Sequence, residues 1–354
     1  MEIYSIVAST VVAFFACFIA IPYFMRFFNR IGIIGTDQQK QGKPIVPQAG
    51  GIPVFFGFLV GMLTFIGINT FLTHAPLDLT QLFAALLSTA VIAMVGFFDD
   101  LNIRTQRVAI SSDAIDYRIG LKQWQKPLLT LVAAVPLMAV NAGTSNALLP
   151  LIGVVDFGIF YPLLAIPIAV VCVSNATNML AGVNGVESGT TSIALLGLAV
   201  FLLTRGTPNS LEGGLIALCA AATLLAFMKF NWTPAKMLPG DSLTYFAGAA
   251  FVSAIIIGNA EKLGILLFIP WIVEALLKLR GRFKVRSYGD LQRDGTIKAP
   301  YNEIYSLTHV VMKLPYWLKM KKGFSEKQIA TLMITGQIIL TLSVLAFYFF
   351  VVSY

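Results

Sequence analysis

Three asparagines and two glycines stand close together where an apolar run of the chain ends. The segment 175–185 reads NATNMLAGVNG and directly follows the apolar run 161–174. An asparagine side chain offers an acceptor oxygen and a donor NH₂, so it can coordinate a hard cation or bind a nucleobase edge. Glycine permits bends that a helix excludes, and irregular backbone at membrane depth is tolerated only where it is buried in protein or lines a wet cavity. One asparagine could serve as an interhelical hydrogen bond, but the cluster favours a binding site. Its polar and flexible members are Asn175, Asn178, Gly182, Asn184 and Gly185.

Two adjacent carboxylates end another apolar run. The sequence VGFFDDLN (95–102) contains Asp99 and Asp100. Neighbouring aspartates repel one another, so keeping both charged requires a cation or a donor nearby. A solvated helix terminus is the simpler interpretation, and the pair alone does not decide between the two.

A third carboxylate precedes an apolar run. In MLPGDSLTYF (237–246), Asp241 follows a Pro–Gly pair that fits a tight turn. Aspartate at a helix start commonly caps the backbone N–H groups, so this residue is interpreted either as a cap or as a ligand.

A basic segment lies near the end of the chain. The segment 278–300, KLRGRFKVRSYGDLQRDGTIKAP, has five basic residues in its first nine. These charges either follow from membrane topology or bind phosphate oxygens. Because Mg²⁺ commonly takes one or two protein oxygens plus substrate phosphates, the combination suits phosphoryl transfer.

The composition shows which elements must hold these groups. Of 354 residues, 57% are hydrophobic and 12% charged, with a mean hydropathy of +0.80; a soluble domain carries about 25% charged residues. We therefore predict an all-α polytopic membrane protein forming a single domain, 1–354. About ten spans are predicted: 3–25, 51–73, 81–98, 127–141, 161–177, 190–204, 213–230, 242–259, 262–279 and 329–352.

The basic residues predict the orientation. All but two of the 25 lysines and arginines lie in or beside the odd-numbered loops between the predicted spans. Positively charged loops face the cytosol, so both termini are expected outside and the active site at the cytosolic face. The cytosolic loops would be 26–50, 99–126, 178–189, 231–241 and 280–328.

Taken together, the motifs resemble the polyprenyl-phosphate N-acetylhexosamine-1-phosphate transferases, and most closely the dolichyl-phosphate branch. The similar stretches are TDQQK with VPQAGG (36–51), GFFDDLNIR (96–104), NATNMLAGVNGVESG (175–189) and KFNWTPAKMLPGDSLTYFAG (229–248). The resemblance covers nearly the whole chain. It implies transfer of GlcNAc-1-phosphate from UDP-GlcNAc to a polyprenyl (dolichyl) phosphate, releasing UMP, as the first membrane step of glycan assembly such as N-glycosylation.

The resemblance also implies roles for individual residues. Asn178 and Asp241 would bind Mg²⁺, or Mn²⁺ in its place, and Asn184 with the backbone at Gly182 would bind uracil. Asp99, Asp100 and Lys126 would lie beside the pyrophosphate as the catalytic group. The remaining substrate-binding residues would be Asp37, Lys40, Arg282 and Lys284.

This chain departs from the family pattern in three places. Asn102 comes two residues after Asp100, where the family has three, and the stretch from there to Lys126 is longer than usual. The last large loop has GRFKVR (281–286) where other branches carry histidine. Sugar and pyrophosphate contacts would then fall to Arg282 and Lys284, which speaks against a muramyl-peptide substrate.

Two alternatives stay open. A bacterial-type transferase would use undecaprenyl phosphate with UDP-GlcNAc or UDP-GalNAc, and a transporter would use the irregular segment 175–189 as a substrate site. We expect an integral membrane enzyme, in the cell membrane of an archaeon or the endoplasmic reticulum of a eukaryote, with no nucleic acid partner. A homodimer is one alternative for the oligomeric state.

Overall fold

Long apolar helices account for most of the structure. The computed structural model describes residues 2–74, 76–101, 103–107, 114–118, 121–122, 124–149, 153–207 and 209–351. In these ranges, eight helical segments are long and apolar enough to cross a membrane. The all-α membrane prediction is confirmed. The eight long helices, as the structure bounds them, are α1 (Glu2–Ile31), α2 (Gly51–Ile68), α3 (Leu79–Asp100), α6 (Ile166–Met179), α7 (Val186–Arg205), α8 (Ser210–Asn231), α9 (Gly240–Ile257) and α13 (Glu326–Phe350).

Two of these helices are extended by π-helical turns. Asn69–Thr73 continues α2, and Tyr161–Ala165 leads into α6. Both segments fall inside the predicted spans 51–73 and 161–177.

The predicted fourth and ninth spans are each divided into two shorter helices. The fourth consists of α4 (Gln125–Val132) and α5 (Val135–Ala139), and the ninth of α10 (Glu261–Leu267) and α11 (Ile269–Arg280). Proline stands in the first turn of α5 and of α11. Because proline lacks the N–H that would continue the preceding helix, each break falls just before it.

Short hairpins occupy the connections. Among the described residues, four antiparallel two-stranded hairpins lie between helices, and α12 (Leu307–Trp317) precedes α13. The hairpins are β1 with β2 (Ile34–Thr36, Ile45–Pro47), β3 with β4 (Ile103–Arg107, Ala114–Arg118), β5 with β6 (Asn146–Leu149, Gly153–Asp156) and β7 with β8 (Asp290–Leu291, Ile297–Lys298).

Helix α9 forms the centre of the bundle. Almost all of its residues are buried, and α2, α3, α6, α7 and α8 pack around it. Small residues allow the close approach that stabilises helix pairs in lipid. A Cβ on Gly96 of α3 would lie 2.6 Å from the Asp241 carbonyl oxygen, and one on Gly248 of α9 would lie 2.7 Å from the Ser174 Cα atom of α6.

One end of this bundle collects most of the polar segments. The C-terminal ends of α1, α3, α6 and α8 meet the N-terminal ends of α2, α7, α9 and α13 there. Hydrogen bonds join the segments directly: the Leu238 N–H donates to the Pro47 carbonyl at 2.8 Å, and the Gly50 N–H donates to the Leu238 carbonyl at 3.2 Å. The start of α9 is thereby fixed against the β1–β2 hairpin.

Candidate active site

A cleft of about 740 Å³ opens at this polar end. The segments after α1, α6 and α8 line it together with the first turns of α4 and α9. Six of the residues predicted from sequence are among its lining: Asp37, Lys126, Asn178, Gly182, Asn184 and Asp241. Residues far apart in the chain are therefore brought to a single cavity.

Lys126 joins two of the predicted carboxylates. Its Nζ atom lies 2.7 Å from Asp99 Oδ2 and 2.7 Å from Asp241 Oδ2. The second oxygen of Asp99 accepts the Leu121 N–H at 2.7 Å. Both aspartates are at most 4% exposed. A buried carboxylate is stable only when it is paired, so this lysine is what allows two negative charges at the edge of the cleft.

Asp100 has a different environment from its neighbour. Its carboxylate accepts the backbone N–H groups of Asp241 at 2.8 Å and Ser242 at 3.0 Å, and the Gln48 Nε2 amide at 3.1 Å. These backbone donors are in the first turn of α9, where a helix leaves N–H groups unpaired and where negative charge is favourable. Asp100 therefore caps α9 from another helix. Of the two sequence interpretations of the Asp pair, a solvated terminus is wrong.

The Pro–Gly turn makes this cap geometrically feasible. Gly240 has φ +70°, and a Cβ there would lie 2.4 Å from Asp100 Oδ2. Any larger residue would push the carboxylate away from the helix start. Asp241 itself lies in the first turn rather than at the cap position, and its carboxylate faces Lys126.

Asn178, near the end of α6, contacts the first turn of α9. Its Oδ1 atom accepts a hydrogen bond from the Thr244 hydroxyl at 3.0 Å. The same hydroxyl lies within hydrogen-bond distance, 3.1 Å, of the Asp241 carbonyl oxygen. The end of α6 and the start of α9 are thus held together at the cleft. Thr244 was not singled out from the sequence.

The two glycines of the NATNMLAGVNG segment adopt the bends predicted for them. Gly182 has φ +103° and Gly185 has φ +87°. The Gly182 N–H donates to Glu187 Oε1 at 2.7 Å, and its carbonyl accepts Gln39 Nε2 at 2.6 Å. The N–H that would contact a nucleobase is therefore already bonded within the protein.

Asn184 is held by a network of charged groups. Its Nδ2 donates to Asp37 Oδ2 at 2.7 Å, and its backbone N–H donates to Glu326 Oε1 at 3.0 Å. Lys40 pairs with Asp37 at 3.5 Å and contacts Glu326 as well. Burial lowers the pKa of the Lys40 ammonium, and the Asp37 carboxylate opposes that change. Lys40, predicted to bind substrate, is not among the residues that line the cleft.

Arg282 and Lys284 are not brought to the cleft. Both are exposed, whereas Arg286 and Tyr288 line the cavity. The Arg286 guanidinium pairs with Asp290 at 2.5 Å and lies 5.0 Å from the centre of the Tyr288 ring. Of the five basic residues at 278–286, Lys278 and Arg286 line the cavity, and Arg286 lies two residues beyond the predicted pair. Asn102, the other departure from the family pattern, lies outside the described residues.

A divalent cation fits the donor set of this cleft. Asn178 and Asp241 both line the cleft and offer an amide oxygen and a carboxylate, and such oxygens are the ligands Mg²⁺ prefers. Within the described ranges, no cluster of three or more His, Cys, Asp and Glu side chains is arranged to hold a metal. Two protein oxygens are compatible with Mg²⁺ because substrate phosphates and water complete its shell.

Sequence reasoning missed several residues that the fold places here. Glu187 belongs to the quoted motif, three residues after Asn184, and that spacing was an available signal. Glu326 follows Ser325, whose capping box with Gln328 marks a helix start. An acidic residue in the first turn of a helix is common, so no sequence pattern marked Glu326 as a site residue. Its contacts to Asn184 and Lys40 span 142 or more residues, and no local pattern predicts them.

Comparisons with known proteins agree with the motifs. The family Glycosyl transferase family 4 matches residues 82–259. The chain is 34% identical over 314 residues to a protein of Saccharolobus solfataricus and 30% identical over 314 residues to one of Sulfolobus acidocaldarius. These alignments cover 89% of this chain, with 90% and 89% of the respective relatives.

A eukaryotic relative and the two archaeal relatives share one enzyme name. The Dictyostelium discoideum protein is 28% identical over 302 residues, covering 75% of this chain and 69% of its own length. It is named UDP-N-acetylglucosamine–dolichyl-phosphate N-acetylglucosaminephosphotransferase, a name the two archaeal proteins bear provisionally. The matched region contains Lys126, Asn178 and Asp241 of the cleft, and Asp99, which pairs with Lys126. This chain belongs to glycosyl transferase family 4.

Proposed function

We propose that the protein transfers N-acetylglucosamine 1-phosphate from UDP-GlcNAc to a polyprenyl phosphate such as dolichyl phosphate, releasing UMP. One observation carries the proposal: the polar cleft meets an apolar groove. The two cavities share Pro127, Asn175 and Met179 in their walls. A water-soluble nucleotide and a membrane lipid could therefore meet at one point. The names of the relatives supply the substrate pair.

The apolar groove suits a polyprenyl chain. It has a volume of about 560 Å³ and is lined by apolar side chains of α6, α9, α10 and α11, for example Ala169, Ile255 and Ile265. A polyprenyl chain leaves the bilayer only at a large hydrophobic cost, so the lipid would enter sideways along these helices. The predicted fifth, eighth and ninth spans form its wall together with Pro127 of the fourth, and no described residue of the third span lines it.

The charged part of the cleft suits the pyrophosphate. The lipid phosphate is already mostly ionised at neutral pH, so it needs no base to act as the nucleophile. Its oxygen would bond to the β-phosphorus while the bond to the bridging oxygen of the α-phosphate breaks, and UMP leaves with that oxygen. Lys126 would offset the negative charge, and the carboxylates Asp99 and Asp241 would fix its ammonium in place. Positioning and electrostatics are then the main sources of rate.

Mg²⁺, or Mn²⁺ in its place, would be held by Asn178 and Asp241. The ion would supply positive charge at the pyrophosphate oxygens. Asn178 contributes an oxygen without adding a second negative charge beside the phosphates.

The cleft would face the cytosol. The proposal follows from the lysine and arginine distribution, and the polar segments in question do meet at one end of the bundle. An integral membrane enzyme with this orientation takes its nucleotide from the cytosol. Both termini would then lie on the opposite side.

Of the alternative interpretations, the structure speaks against the transporter. A transporter would bind its substrate near the middle of the bilayer, whereas the polar groups here gather at the helix ends. A bacterial-type acceptor is tested by changing the lipid. A homodimer stays a prediction.

UMP release from purified protein tests the proposal. The protein in detergent is given UDP-GlcNAc, dolichyl phosphate and Mg²⁺, beside reactions without lipid and with EDTA. We expect UMP only in the complete reaction. Undecaprenyl phosphate and UDP-GalNAc, substituted in turn, define the branch. Folded protein that releases no UMP with any pair would overturn the proposal.

A further inference from the structure

The Asn184 side chain has only one hydrogen-bonding orientation open to it. Its Nδ2 lies 2.7 Å from Asp37 Oδ2. An ionised carboxylate only accepts hydrogen bonds, so the amide nitrogen must face Asp37 and the carbonyl oxygen must face elsewhere. No described residue donates to this Oδ1 atom. Since Asn184 lines the cleft, the group it offers a ligand is an acceptor.

The carboxylate that fixes this orientation is itself fixed. Asp37 is 4% exposed and pairs with Lys40, which also contacts Glu326. Glu326 in turn accepts the Asn184 backbone N–H. Two other segments of the chain thus hold the asparagine, one at its side chain through Asp37 and one at its backbone through Glu326.

Within the proposed function, this part of the cleft is where the nucleobase would lie. The phosphates of a nucleotide belong beside Lys126 and Asp241, which leaves the neutral amide at Asn184 and the Tyr288 ring for the base. Tyr288 lies close to Gly182, where an added Cβ would be 3.4 Å from its Cβ. Uracil presents an N3–H donor, whereas cytosine presents a lone pair at N3.

We propose that Asp37 is a positioning residue that sets the base preference by holding the Asn184 carbonyl oxygen towards the ligand. An acceptor fixed there pairs with uracil N3–H and repels the cytosine lone pair. This inference rests on the proposed function, because it assumes a pyrimidine nucleotide in the cleft.

Asp37→Asn removes the constraint with little change in shape. The amide introduced at position 37 can present either its oxygen or its NH₂ to Asn184, so the Asn184 amide can turn over and offer a donor instead. The double variant Asp37→Asn, Asn184→Asp reverses the pair. The amide at position 37 then donates to the carboxylate at position 184, whose second oxygen is again an acceptor facing the cleft.

Binding of UMP and of CMP measures the preference. Calorimetric titrations use the full-length protein in detergent with Mg²⁺. We expect the wild type to prefer UMP by roughly ten- to a hundred-fold, the range for one buried group left unpaired. Asp37→Asn should bring the ratio close to one, and the double variant should restore it. Asp78→Asn, at the opposite end of α3 where asparagine also caps well, is the matched control with an unchanged ratio.

The outcomes separate this inference from the proposed function. If the wild type binds neither nucleotide, the proposed function fails. If it prefers UMP but Asp37→Asn keeps the same ratio, even with weaker binding of both, the role of Asp37 is overturned while the function stands. If Asp37→Asn does not fold, the double variant provides the test. A folded double variant that shows no preference for UMP would also overturn the role of Asp37.

Discussion

At the scale of single residues, the site is defined by which charge neutralises which. Asp99 and Asp100 are neighbours in sequence, yet one pairs with Lys126 and the other with the backbone of α9. Two carboxylates at the C-terminal end of α3 oppose the helix dipole, so each must find positive charge in another element. The adjacent aspartates therefore have separate roles, one beside the cleft and one in the framework.

Asp241→Asn should abolish most turnover and leave the fold intact. The change keeps the shape but removes the charge that would bind the metal and that fixes Lys126. Loss of one such electrostatic group lowers kcat by roughly 100-fold or more. Steady-state UMP release measures it, with Asp156→Asn on the exposed β5–β6 hairpin as the control. Full activity in Asp241→Asn would remove this residue from the site.

Asp100→Ala should act on stability. It leaves the Asp241 and Ser242 N–H groups and the Gln48 amide without their acceptor, at a cost of about 1–3 kcal/mol for a buried group. Asp100→Asn keeps an acceptor and should cost less. Thermal unfolding in detergent compares them with Glu303→Ala, whose side chain is 57% exposed. An Asp100→Ala protein as stable as the wild type would contradict the cap.

The sequence was sufficient to identify candidate site residues where a local motif marks them. Asn178 belongs to the asparagine cluster that favoured a binding site, and Asp241 after Pro–Gly was interpreted as a cap or a ligand; both line the cleft. The partners of these residues were not predictable, because pairings such as Lys126 with Asp241 join positions 115 residues apart. The family resemblance favoured Arg282 and Lys284, and the five alternating basic residues give no local sign that Lys278 and Arg286 line the cleft instead.

At the scale of elements, a buried glutamate anchors the segment that carries Arg286. Glu274 of α11 accepts the Leu307 N–H at 2.7 Å and the Ser306 hydroxyl at 3.1 Å, at the start of α12. Its other oxygen lies 3.4 Å from the Ser287 hydroxyl. One side chain thus connects α11, α12 and the residue beside Arg286. The segment 281–306 is held against the cleft by this contact.

His309 on α12 should make this region sensitive to acid. Burial, together with the charges of Lys278 and Lys313, lowers the pKa of His309 from 6.5 to about 4. The unfolded chain binds the proton near pH 6.5 and the folded protein only near 4, so stability falls as the pH falls through this window. Melting temperatures of wild type and His309→Gln from pH 7 to 4 check this. The other titrating groups are common to both proteins, so the difference between the two melting temperatures should narrow as the pH drops. A difference that stays constant from pH 7 to 4 would contradict the role of His309.

At the scale of the whole molecule, two cavities of different chemistry share a wall. The apolar runs predicted most of the spans, but the fourth and ninth were treated as continuous because the length of an apolar run does not take account of a proline inside it. Those breaks matter for function, since α4 begins with Lys126 in its first turn and the α10–α11 pair lines the groove. The junction of cleft and groove depends on helix packing, which composition does not encode.

Ala169→Trp should obstruct the groove without touching the cleft. A bulky ring on α6 would occupy the space of the lipid chain, so KM for dolichyl phosphate should rise about ten-fold or more, since each buried CH₂ is worth about 0.8 kcal/mol. UMP affinity should not change. Leu163→Trp, on the same segment, exposed and outside the groove lining, is the control. Equal KM values in the two variants would remove the lipid from this groove.

The fate of the β-phosphate tests the central claim most directly. UDP-GlcNAc labelled with ³²P in the β-phosphate is incubated with the purified protein, dolichyl phosphate and Mg²⁺, and the lipid is extracted into organic solvent. Transfer of the sugar phosphate predicts that the label moves to the lipid while unlabelled UMP stays in water. Label left in the aqueous phase as UDP, with sugar alone on the lipid, would contradict attack at the β-phosphorus.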